Sequence, residues 1–278
     1  MSKYIIVTGG LGYIGSHTIV ELINNNYIPI VWDNMCNSNI NMMKKIKEIT
    51  GKTIIFDSID ISKEYVFTIA EKYKYYNIVG IIHFAALKSV SESCLYPLLY
   101  YKNNLNGLIN VLEIMVRYDI NNLIFSSSAT VYSTENTLPF DEKQEVGSNL
   151  TCPYGKTKYF GEEILKDFHS KYNFMKIISL RYFNPVGAHK SKLIGDNPNN
   201  KAENLFPIIK EILEKKREQL LIFGNDYTEN SDTDDKTARR DYIHIEDLSL
   251  GHLAALKYID TNSPGLIDFI NLGTGKSI

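Results

Sequence analysis

The segment "TCPYGKTKYFGEEIL", residues 151–165, sets Tyr154 and Lys158 four positions apart in a stretch that reads as a helix. Thr151 is the expected N-cap, and Pro153 falls in the first turn. A spacing of four puts both side chains on one face, where a phenol and an ammonium are the ingredients of acid–base chemistry. The same spacing also describes an exposed helix pair worth roughly a few tenths of a kcal/mol. In a chain with 19 tyrosines such pairs arise by chance. A second segment, "FSSSATVY" at 125–132, runs from an apolar strand into three serines. At the carboxyl end of a strand in a parallel sheet they would stand where ligands bind, whereas elsewhere three serines are simply turn formers.

The element that would bring a substrate to these residues opens the chain. "TGGLGYIG", residues 8–15, follows the apolar run "YIIV" and precedes an amphipathic run from Ser16 to Asn24. Gly10, Gly12 and Gly15 fit G-x-G-x-x-G, and Gly9, Gly12 and Gly15 fit G-x-x-G-x-x-G. Glycine suits a turn whose backbone angles oppose a Cβ and which a phosphate must approach closely. The N–H groups of the following helix then face a pyrophosphate. Alone the motif describes any tight strand-to-helix turn. Its context is sharper, because Asp33 ends the next apolar run, "IPIVWDN", where an acid can accept both ribose hydroxyls. No Arg or Lys follows before Lys44 to receive a 2′-phosphate, so NAD is expected over NADP.

The rest of the chain limits the alternatives. At 278 residues it can bury a large core without a partner. With 30 basic and 32 acidic residues intermixed and a net charge of −2, it offers no broad positive field for nucleic acid or an anionic membrane. Cys36, Cys94 and Cys152 are far apart and lack zinc spacing, so packed thiols in a reducing cytoplasm are expected. No metal is expected, and the acidic run Asp232–Asp235 reads as a solvated loop. Tyr4–Val7 is too short for a signal core or a membrane span.

Apolar, β-rich runs recur between helical stretches at Tyr4–Thr8, Ile28–Asp33, Thr53–Asp57, Val79–Phe84, Asn122–Ser126 and Lys176–Arg181. This alternation predicts an α/β fold with a parallel sheet covered on both faces. Past residue 183 the pattern loosens into loops separated by an expected helix from Glu203 to Lys216.

A resemblance covers nearly the whole chain. In order, "VTGGLGYIGSHT", "WDN" with "CNS", "HFAALKSVSES", "NNLNG", "FSSSATVY", "PYGKTK", "LRYFNPVGAH", "IFGNDY" and "RDYIHIEDL" resemble the UDP-glucose 4-epimerases (UDP-galactose 4-epimerases) of the extended short-chain dehydrogenase/reductase family. The resemblance implies a Rossmann-type doubly wound parallel sheet over 1–183 that binds NAD. It also implies a smaller UDP-sugar region over 184–278, with some segments returning to the first domain.

It further implies that Ser128, Tyr154 and Lys158 act together on a sugar hydroxyl. Presenting phenolate at neutral pH costs about 4 kcal/mol for a free tyrosine. An ammonium roughly 6 Å away contributes about 3 kcal/mol at an effective dielectric near about 20, and the positive nicotinamide adds to it. Tyr154 would take the C4 hydroxyl proton while NAD takes the hydride, and the 4-keto sugar would turn over before reduction on its other face. The family's NAD contacts carry over to Gly9, Gly12, Tyr13, Ile14, Gly15, Asp33, Asn34, Asn37, Ser38, Asp60, Ile61, Phe84, Ala85, Ala86, Lys88, Asn103 and Phe183, beside Tyr154 and Lys158. UDP-sugar contacts carry over to Asn184, Asn204, Leu205, Leu221, Phe223 and Arg240, whose guanidinium fork suits a pyrophosphate. By analogy alone, helices near 95–118 and 152–172 would form a homodimer seam.

Three departures stand against the family pattern: Ser133 in place of a usual Gly, a longer segment before Arg240, and an end at "FINLGTGKSI" where relatives continue. The last implies a C-terminally truncated member with an incomplete sugar pocket. "GTGKS" is no P-loop, because Ile270 stands where the first glycine is needed. A 4,6-dehydratase would carry Asp-Glu after the serine, where Ala129 and Thr130 stand. A nucleotide-binding module without turnover is the alternative from a different class.

Overall fold

The computed structural model describes residues 2–199, 202, 204–222 and 237–278. Phe223, Glu203 and the acidic run 232–235 lie outside the described residues. The chain runs β1 (Lys3–Thr8), α1 (Tyr13–Asn24), β2 (Tyr27–Asp33), α2 (Asn41–Thr50), β3 (Ile55–Ser58), α3 (Val66–Ala70), β4 (Ile78–His83), α4 (Val90–Leu95), α5 (Pro97–Arg117), β5 (Asn122–Ser128), α6 (Pro153–Lys171), β6 (Lys176–Tyr182), β7 (Asn184–Val186), α7 (Leu205–Leu213), β8 (Tyr242–His244), α8 (Ile245–Thr261) and β9 (Ile267–Leu272). The six strands expected from the sequence lie within about two residues of those observed.

Seven strands form one sheet in the order β3-β2-β1-β4-β5-β6-β9, with every pairing parallel. Alternate residues of the apolar runs serve opposite faces. Ile5, Val7 and Val31 pack with Ile19, Val20 and Ile23 of α1 and with Leu253, Leu256 and Ile259 of α8. Ile6, Ile30 and Trp32 pack on the other side with Leu108, Val111 and Met115 of α5 and Leu165 of α6. Burying each such aliphatic side chain contributes about 1.5–3 kcal/mol, which is why runs apolar on both faces become interior parallel strands. The chain reverses direction of winding between β1 and β4, which opens a crevice at their carboxyl ends.

Two local expectations are corrected. The N-cap of α6 is Cys152, with its Sγ accepting from Gly155 N at 3.4 Å, and not Thr151. Pro153 explains this: it disfavours helical angles at the residue before it, so residue 152 stays extended and the proline itself begins the helix. The helix expected over Glu203–Lys216 is shorter, with Asn204 extended as N-cap and Lys215 at φ +58° beyond its end. The thiols also differ from expectation, since Cys36 and Cys94 are exposed and only Cys152 is buried.

Beyond β6, β7 and β8 form a separate parallel pair, and β9 returns to the main sheet beside β6. Ser133 does not disturb the loop after β5; its Oγ accepts from Glu135 N at 3.1 Å and so closes a tight turn.

Candidate active site

The glycine turn lies in the crevice at the carboxyl end of β1. Gly9 has φ +68°, and a Cβ there would stand 2.8 Å from Ala85 N. At Gly15 a Cβ would stand 2.5 Å from the Gly9 carbonyl oxygen, so α1 packs onto the turn only without a side chain. Gly12 caps α1 with no side-chain acceptor, and the first turn carries no acid. This leaves N–H groups directed outward at the positive end of the helix, a cradle that fits a pyrophosphate.

Asp33 ends β2 nearby. Its Oδ1 accepts from Met35 N and from Ser38 Oγ, each at 2.8 Å, and its Oδ2 accepts from Leu11 N at 2.9 Å. The carboxylate is thereby oriented, and with Oδ1 already accepting twice, the acceptor capacity left for a ribose hydroxyl lies on Oδ2. Asp60 is oriented in the same way by the Ser62 N–H and hydroxyl, at 3.0 and 2.7 Å.

A single cavity of about 1030 Å³ extends from these residues past Tyr154 and Lys158 to Asn184, Asn204, Leu205 and Arg240. Tyr13, Ile14, Asn34, Asn37, Ser38, Ile61, Phe84, Ala85, Ala86, Lys88 and Asn103 also line it. Ser128, Phe183 and Leu221 lie off its wall, Ser128 reaching the site through its hydrogen bond with Tyr154. Phe183 turns toward Phe140, 6.5 Å between ring centres. Its neighbour Tyr182 faces the cavity instead, as alternation along a strand requires.

Tyr154 and Lys158 share one face of α6, with the Lys158 nitrogen 5.9 Å from the Tyr154 ring centre. Lys158 Nζ donates to the Ser126 carbonyl at 2.5 Å. Burial pulls Lys158 down to about 7, opposed by the Glu162 charge. Burial pushes the Tyr154 phenol up to about 12, opposed by a hydrogen bond with Ser128. The protein alone therefore holds a neutral phenol. The lysine does not bring it below its ordinary value, so the expected phenolate needs the further positive charge of a bound cofactor.

Sequence reasoning missed several residues. Tyr182 donates to His252 Nε2 at 2.5 Å, a role assigned because His252 Nδ1 faces the Leu248 carbonyl at 2.8 Å. Asn104 ties the loop after β4 to α6, accepting from Leu87 N at 2.9 Å and contacting Thr157 Oγ1 at 3.0 Å. On the far side of the cavity, Asp241 accepts from Thr274 N, Thr274 Oγ1 and Gly275 N, which explains the "GTGKS" turn as a structural anchor. Arg240 lines the cavity one residue away, its backbone paired with Ile278 at 2.9–3.0 Å.

A doubly wound sheet with a glycine cradle, a ribose-directed acid and a tyrosine–lysine pair in one crevice defines a Rossmann-fold protein of dinucleotide chemistry. The sequence pattern of the NAD dependent epimerase/dehydratase family matches residues 5–273, and the chain belongs to that family. It is 42% identical to the human UDP-glucose 4-epimerase over 284 residues, covering 100% of this chain and 80% of the human one. It is 46% identical to the bifunctional protein gal10 of Schizosaccharomyces pombe over 281 residues, which is 99% of this chain and 38% of that protein's length. The crystal structure of UDP-glucose 4-epimerase from Bifidobacterium longum in complex with NAD+ and UDP superposes with a TM-score of 0.91 at 40% identity, covering 99% of this chain and 79% of the other.

Proposed function

We propose that this chain is an NAD-dependent epimerase that interconverts UDP-galactose and UDP-glucose. The observation that carries the reading is the single cavity, which joins the glycine cradle and Asp33 at one end to Asn184, Asn204 and Arg240 at the other, with Tyr154 and Lys158 between. NAD, when bound, stores the C4 hydrogen of the hexose as hydride and returns it.

The chain's own residues do the rest. The glycine turn and the start of α1 hold the pyrophosphate of the cofactor, and Asp33 holds its adenosine ribose. Asp60, Ile61, Phe84, Ala85, Ala86, Lys88 and Asn103 enclose the remainder. Arg240, Asn184, Asn204 and Leu205 hold the UDP-sugar. Tyr154 as phenolate takes the C4 hydroxyl proton, Ser128 donates to the same oxygen, and Lys158 stabilises the phenolate charge. The 4-keto sugar turns so that its other face meets the cofactor, and Tyr154 then gives the proton back. Neither proton nor hydride is lost over the cycle.

A homodimer and a cytoplasmic location belong to the same proposal. Leu98, Ile109 and Val116 recur at helical spacing on the outer face of α5 and are exposed, as is Phe160 on α6. A groove between the two helices is walled by Ile109, Leu112, Val116, Ile164 and Phe168. An apolar face of this kind suits a second copy. Among the described residues no helix is long and apolar enough to cross a membrane, and the three free thiols suit a reducing compartment.

The test is conversion of UDP-galactose to UDP-glucose by purified protein, with bound NAD quantified and mass measured by sedimentation. Absence of interconversion in protein that holds NAD would leave a nucleotide-binding module as the function.

A further inference from the structure

Beneath the serine end of β5 lies an ionic cluster with no part in the reaction as written. Glu162 stands one helical turn past Lys158 on α6 and is 0% exposed. Its Oε1 accepts from Ser127 Oγ at 2.7 Å, Ser179 Oγ at 3.1 Å and Arg181 Nε at 3.0 Å. Its Oε2 accepts from Arg181 Nη2 at 2.8 Å. Arg181 also donates Nη1 to the Tyr132 hydroxyl at 2.9 Å. A buried ion pair of this kind is weak evidence for stability, because well-packed apolar residues often serve as well or better. Its position points elsewhere. Ser127 and Arg181 are register partners across β5 and β6, and the two neighbours of Ser127 both serve the site. The Ser126 carbonyl receives Lys158 Nζ, and the Ser128 side chain meets the Tyr154 hydroxyl.

We propose that Glu162 is a positioning residue for proton transfer: its carboxylate favours the ammonium form of the neighbouring Lys158 nitrogen and, through Ser127, pins the strand end that carries Ser126 and Ser128. This rests on the reading of Tyr154 and Lys158 as the acid–base pair. The other titratable groups around them do not supply that charge. His83, facing Lys158 from β4, is pulled down to about 3 by burial and is neutral. Tyr182, facing Tyr154 from β6, is pushed up by burial and is also neutral. Cys152 faces Tyr154 from the start of α6. Arg181 and Tyr132 stand behind Glu162, and Arg181 is a cation. Among the described residues, Glu162 is the anion whose charge reaches Lys158.

The test is Glu162→Gln in the NAD-bound protein, read first by nitrogen-15 NMR of Lys158 Nζ, assigned through its loss in Lys158→Met. Removing the negative charge favours the neutral amine, so the Lys158 titration midpoint is expected to fall by about one pH unit or more. The alkaline limb of kcat/KM against pH should move down with it. A purely structural role would lower the rate and the melting temperature and leave both midpoints in place, and that result overturns the proposal. Glu162→Gln with Arg181→Gln removes both charges together and guards against misfolding from an unpaired guanidinium. Its midpoint should also fall, by less, and an unmoved midpoint there counts against the proposal too. The NMR readout does not depend on epimerisation, so a shifted midpoint in a protein that converts no UDP-sugar would retain this inference and reject the functional one.

Discussion

The Asn199 side chain donates to the Ser38 carbonyl at 2.5 Å, across 161 positions of sequence. Asn199 N also donates to Asn37 Oδ1 at 3.1 Å. Because Ser38 Oγ is itself a support of Asp33, a residue remote in sequence braces the acid that reads the ribose. Asn199→Ala is expected to cost about 1 kcal/mol of NAD affinity, roughly fivefold, with kcat unchanged at saturating cofactor. Calorimetry on the two proteins checks it, and equal affinities would show that the brace has no bearing on the cofactor.

Asp33→Ala should act more strongly and in a different way. It removes the ribose acceptor and the negative charge that repels a 2′-phosphate, so NAD binding falls while discrimination against NADP narrows. Parallel titrations with NAD and NADP decide it. A uniform loss for both would place Asp33 in a purely structural role through Leu11 and Ser38.

Tyr154→Phe removes the proton carrier and leaves the cavity wall. NAD content should stay normal while epimerisation falls at least about 100-fold. Since burial alone holds the phenol up at about 12, a tyrosinate absorbance present in the native protein and missing from this variant should appear at lower pH once NAD⁺ is added. Near-normal turnover by the variant would remove Tyr154 from the mechanism.

Acid should unfold the protein early. Burial pulls His17 and His252 down to about 4 and His83 to about 3, each from an ordinary 6.5. As pH falls below about 6.5 the unfolded chain takes up protons that the folded one refuses, so the stability from these neutral rings is complete above that value and drains away toward pH 4 and 3. Each ring accounts for on the order of 3 kcal/mol over that span. Urea unfolding at several pH values, repeated on His252→Gln, measures it. A variant with an unchanged acid slope would exclude His252 as a contributor.

Much of this was legible in the sequence because some residues act locally. Runs such as "YIIV" and "IPIVWD", short, β-rich and set between helical stretches, read as strands buried on both faces, and "TGGLGYIG" after one of them announces the cradle. Pro153 announced the start of α6, although its effect on the preceding residue moved the cap to Cys152. What was not legible depends on partners distant in the chain. β9 pairs with β6 through tertiary register that no local pattern encodes. Glu162 stood in plain view four residues after Lys158, yet a charged residue in a helix ordinarily reads as solvent-facing, and it is Ser127, Ser179 and Arg181 on neighbouring strands that make burial tolerable there. Tyr182, which the sequence did not single out, lines the cavity because alternation at the end of β6 turns it toward the crevice.

The placement of β9 and α8 bears on how the chain is made. α1 buries Ile19, Val20 and Ile23 against α8, which follows it far later in the chain, and the edge of β6 waits for β9. No portion that stops short of α8 and β9 can close this core by itself during synthesis, so apolar surface and an unpaired strand edge stay available to other chains until those two elements arrive. Such long-range closure slows folding and invites association. For this protein the period of greatest exposure to aggregation is therefore translation itself, and its yield should respond more to the pace of elongation and to chaperone supply than to the stability of the finished fold.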